Sequence, residues 1–95
     1  MIKVIDDWYI TVDSYPTNYT VRRGEGNKGK NGKWLDKPKG HFNSLDGAVK
    51  EIRRLIIAER FENSVGTLET ALDTITEVDA RFEKLMARLE DNEED

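Results

Sequence analysis

Residues 68–89 read LETALDTITEVDARFEKLMARL. Leu68, Ile75, Phe82 and Leu89 recur every seven residues, and Ala71, Val78 and Leu85 follow the first three of them at an interval of three. Steps that alternate between three and four keep one apolar seam on one side of a helix. Leu72 and Met86 widen that seam. A seam this long needs a partner, either from the same chain or from a second one. Phe82 stands at a position that fits a tight two-stranded coiled coil poorly, and it suits an antiparallel or domain-packed contact better. The spacing thus leaves two outcomes open. Either the helix packs in cis, or Leu68, Ile75, Val78, Phe82, Leu85 and Leu89 make a homodimer or bind another partner.

The segment before it reads as a second amphipathic helix. Leu45, Ala48, Val49, Ile52, Leu55 and Ile56 form one stripe at 3.6 spacing, with Asn43 or Ser44 as N-cap and Asp46 in the first turn. The spacing predicts helices over 44–62 and 67–90, parted by Asn63-Ser64-Val65-Gly66, with Thr67 capping the second. Five of the last six residues are acidic, so 91–95 reads as a disordered tail.

The first 42 residues read as strands. Trp8, Ile10 and Val12 alternate with Tyr9 and Thr11, and all five are β-branched or aromatic. Ser14-Tyr15-Pro16-Thr17 is a turn, so residues 8–23 predict a hairpin, with a short strand or lead-in over Met1–Ile5. The stretch GEGNKGKNG at 24–32 holds no apolar residue and predicts a loop projecting into solvent. Lys33 to Asp36 predicts a third strand. The expected fold is α+β, one domain over 1–90, with a small antiparallel sheet of about three strands followed by two helices.

Composition narrows the function. The chain has 95 residues, 37% hydrophobic and 36% charged, and no cysteine, which excludes disulfide frameworks and thiolate zinc sites. MIKVIDDWYI lacks the pattern of a signal peptide, and no apolar run approaches the roughly 20 residues that span a bilayer. These features predict a cytoplasmic protein with no membrane partner. The net charge of -4 is unevenly distributed. Residues 21–40 carry seven bases against Glu25 and Asp36, whereas residues 59–95 carry twelve acids against four bases.

Motifs for catalysis are lacking. His41 is the single histidine, with no nucleophile elbow around Ser14, Ser44 or Ser64. Asp6-Asp7 reads as a polar turn before it reads as an acid/base or metal pair. Gly24-Glu25-Gly26-Asn27-Lys28-Gly29 fits the letters G-x-G-x-x-G but opens no helix, and no Walker lysine followed by Ser or Thr is present. The expectation is a protein that is not an enzyme and holds neither cofactor nor metal. Two charged surfaces remain. Glu69, Asp73, Glu77, Asp79 and Glu83 space negative charge along the second helix, suited to a basic groove built for phosphates. Arg22, Arg23, Lys28, Lys30 and Lys33 with Trp34 combine phosphate-seeking charge with a stacking face, a surface for direct nucleic-acid binding.

The order WYITVDSYPTNYTV, a Gly/Lys-rich insert, FNSLDGAVKEIRRLIIAERF and SVGTLETAL resembles small uncharacterised proteins of bacteriophages and prophages of Gram-positive bacteria. The likeness covers most of residues 8–75. It implies an accessory phage protein acting in the bacterial host cytoplasm by binding a host macromolecule. Some small acidic proteins of that kind are anti-CRISPR inhibitors of effector nucleases. The resemblance carries no site residues with it.

Overall fold

A computed structural model describes residues 1–14, 17–63 and 66–93 of the protein, with 89–93 described by their helical backbone. The chain forms β1 (Ile2–Ile5), β2 (Trp8–Ser14), β3 (Thr17–Arg23), β4 (Gly40–Phe42), α1 (Leu45–Glu62) and α2 (Leu68–Glu93). The four strands make one antiparallel sheet in the order β1-β2-β3-β4. The architecture is α+β, as the periodicities predict, with one strand more than expected. Met1–Ile5 supplies a true strand. The proposed strand at Lys33–Asp36 does not exist; the pairing there is a single bridge between Lys28 and Trp34. Its place on the sheet goes to β4, beside β3. The expected turn at 14–17 falls partly on residues outside those described, as does the break at 63–66.

The chain divides into two compact units, Met1–Ile52 and Arg53–Asp95, with the border inside α1. In the first unit the pleat sorts β2 and β3 onto two faces. Ile10 stands opposite Val21, Trp8 opposite Arg23 and Val12 opposite Tyr19. Ile10 and Val21 are sealed from solvent, as are Ala48 and Ile52 of α1. Gly47 sets the start of α1 against Phe42, the register partner of Tyr19 on this same face. Val49 is buried and Leu45 half-buried, so the predicted stripe holds across this unit. Ile56 is buried in the second unit.

The hairpin register is held by local chemistry. Asp6, at the β1–β2 connection, has a φ of 51°, a left-handed conformation that aspartate tolerates better than most residues. Arg23 reaches Asp7 at 3.1 Å and lies 5.0 Å over the Trp8 ring. His41 fastens β4 to β3. Its Nδ1 is 3.0 Å from Thr20 Oγ1 and 3.3 Å from the Asn18 amide nitrogen.

Both predicted helix caps form. The Ser44 hydroxyl accepts from the Gly47 amide at 3.1 Å, and the Thr67 hydroxyl accepts from the Thr70 amide at 3.3 Å. α2 continues past the expected end at residue 90 to Glu93, because no glycine or proline follows Gly66 to stop it. Within the second unit α1 and α2 are joined side by side by ion pairs, Arg53 with Asp79 and Arg60 with Glu77. Among the described residues no helix is long and apolar enough to cross a membrane.

Candidate functional site

The tip of the glycine-rich segment, residues 30–33, is exposed as expected, but its base is not free in solvent. It is bonded across the second face of the sheet, where Tyr9, Thr11 and Thr20 are buried and polar. Asp36 is the hub. Its Oδ2 accepts from the Tyr9 hydroxyl at 2.6 Å and from the Gly26 amide at 3.1 Å, and its backbone carbonyl accepts from Arg22 at 2.6 Å. Arg22 also donates to Thr11 Oγ1 at 3.0 Å. Further turns are closed by Gly29 N to Lys33 O and by Leu35 N to Asn27 O. A loop without apolar residues can still be ordered when its polar groups meet partners that the sheet already presents.

Those bonds explain the glycine spacing. Gly24 has a φ of 145°, and a Cβ there would collide with the Asp36 carboxylate. Gly26, with a φ of 75°, brings its amide to the same carboxylate. The letters G-x-G thus cradle an internal carboxylate, not a phosphate. The hydrogen bond from Tyr9 and then that from Gly26 hold the Asp36 carboxyl below the usual carboxylate range. Burial, followed by the bond to Asp36, pushes the Tyr9 phenol up to about 12. Neither Tyr9 nor Asp36 carries a motif, which is why sequence reasoning missed them. Their one faint signal is the pair of glycines set ahead of an acid.

The proposed basic set is divided by this geometry. Arg22 points inward to Thr11 and Asp36, and Arg23 is engaged by Asp7 and Trp8. Trp34 is half-buried, its ring 5.8 Å from that of Tyr9, with the Lys28 ammonium 4.8 Å above it. Its face is therefore already occupied. Lys30 and Lys33 are exposed, together with Lys37 and Lys39, and these four form no ion pair among the described residues.

The acidic set in the second unit divides the same way. Asp79 is held by Arg53, whose hydrogen bond keeps its carboxyl below the usual range, and Glu77 lies 3.4 Å from Arg60. Glu69, Asp73 and Glu83 are exposed and form no ion pair among the described residues. At 100° per residue they fall on one line with Thr76, Ala80 and Ala87, all exposed. This line is an acidic stripe about 21 Å long with only small side chains between its charges. The heptad seam on the opposite side is covered unevenly. Val78 and Phe82 are buried, Ile75 and Leu85 half-buried, and Leu68 exposed; the Leu89 side chain lies outside those described.

No group of three or more His, Cys, Asp or Glu residues among those described could hold a metal ion. No family model, curated protein or solved structure matches the chain.

Proposed function

We propose that the protein is a non-enzymatic phage accessory protein, acting in the bacterial host cytoplasm by stoichiometric binding of a host macromolecule. The target class is a protein with a basic groove for nucleic acid, of which a CRISPR effector nuclease is the instance that the sequence resemblance implies. The observation that carries this reading is the stripe Glu69, Asp73 and Glu83: three exposed carboxylates in line on a helix, without an ion pair among the described residues and with nothing bulky between them. A phosphate-binding groove attracts such a line by the electrostatics it uses for its own ligand.

The test is competition. The protein is titrated into an effector complex bound to labelled nucleic acid, beside the variant Glu69→Gln, Asp73→Asn, Glu83→Gln. Displacement that weakens with added salt and is lost in the variant supports the reading. Displacement by wild type and variant alike would refute it.

A second reading has its own observation. Lys30, Lys33, Lys37 and Lys39 are exposed and without ion pairs among the described residues, on a loop ordered by Asp36, so they form a preset cationic rim for a phosphate backbone. Direct nucleic-acid binding would show as affinity for DNA or RNA falling steeply with salt, and lost on changing the four lysines to glutamine. Light scattering decides whether the heptad seam also pairs two copies.

A further inference from the structure

The exposed large apolar side chains of the second unit lie in the last turn of α1 and the first turns of α2. Phe61 is 39% exposed in the last turn of α1, while Leu68 and Leu72 are 76% and 54% exposed in the first turns of α2. Leu68 and Leu72 are one helical turn apart on the same flank of α2. Glu62, Glu69 and Asp73 stand among them and are exposed as well. Large apolar groups left in water beside acids that form no ion pair among the described residues are the features of a binding surface, not of a solvated cap.

Charge decides what can cover it. Residues 59–77, which flank this end, carry five acids against one base, a balance of -4. A second copy would bring a face of the same sign against this one. A positively charged apolar surface would find both its needs met.

We propose that this tip seats a cationic amphipathic helix of the partner protein. Phe61, Leu68 and Leu72 take its apolar face, and Glu62, Glu69 and Asp73 take its flanking lysines or arginines. The inference rests on the proposed binding of a basic host protein and adds that the contact has an apolar anchor beside its charge.

The probe is a fluorescent lysine/leucine peptide of roughly five helical turns. Its control has the same composition in an order that makes no apolar face. The amphipathic peptide should bind at least about tenfold more tightly than the control. The double variant Leu68→Ser, Leu72→Ser should abolish that advantage, since burying one leucine side chain corresponds to about tenfold or more in affinity. Both leucines are exposed, so the variant should keep the wild-type circular dichroism. Equal binding of the two peptides, or no effect of the leucine changes, would overturn the proposal. If the charge variant Glu69→Gln, Asp73→Asn, Glu83→Gln weakens both peptides while the leucine variant weakens neither, the acidic reading stands and the apolar anchor falls. If neither peptide binds, both fall. A wild-type dimer that the leucine variant converts to monomer would also overturn it, by giving the surface to a second copy.

Discussion

The phenol of Tyr9 and the carboxylate of Asp36 hold each other's protonation states apart, and the coupling is measurable. Tyr9 is raised in the folded protein, so its contribution is fully present below its ordinary value of 10.0 and is lost as pH rises through about 12. Asp36 is lowered, so its contribution is present above the ordinary value of 3.8 and is lost as pH falls through its lower folded value. Between those limits the loop is fastened to the sheet. An ultraviolet titration of the three tyrosines should show one phenolate step near 12, absent from Tyr9→Phe. In Asp36→Asn that step should move down yet stay above 10.0, because burial remains. A titration unchanged by Asp36→Asn would break the assignment. Gly24→Ala tests the same lock sterically: its Cβ would strike the Asp36 carboxylate from a backbone conformation that alanine resists. Urea denaturation should register a loss of more than about 1 kcal/mol.

Helix ends and the heptad seam respond differently to truncation. Ser44→Ala and Thr67→Ala should each cost about 1 kcal/mol, since each removes the only acceptor that its side chain offers a first-turn amide. Along the seam, equal heptad positions are unequal in burial. Phe82→Ala empties a buried site and should cost about 3–5 kcal/mol, whereas Leu68→Ala should change stability by less than about 0.5 kcal/mol. Lysine at Phe82 should therefore unfold the chain rather than merely separate two copies. A folded, monomeric Phe82→Lys protein would show that this seam is covered by a second chain instead. In the sheet, Trp8 to Thr11 are all buried, so both faces of β2 are covered there. The second face is closed by a loop whose residues show no strand or helix period.

The whole molecule combines a sheet with unusually long helices for its size. α1 and α2 hold 18 and 26 of the 95 residues, so circular dichroism should report a little under half helix. A value under about a third would contradict the fold. Local chemistry was sufficient to read most of this architecture. The 3.6 and seven-residue spacings, the caps at Ser44 and Thr67 and the alternation in WYITV each act over a few residues, where propensity and patterning decide. The Gly/Lys segment could not be read the same way. Asp36 meets Gly26 10 residues away, Arg22 14 away and Tyr9 27 away, so its role exists only once β2 and β3 have paired. The charged surfaces follow the same division. The chain by itself determined how many acids and bases each segment carries. Tertiary structure alone decided which remain available, by setting Arg53 against Asp79, Arg60 against Glu77 and Arg23 against Asp7, because a charge is neutralised by its neighbours in space and not by those in sequence.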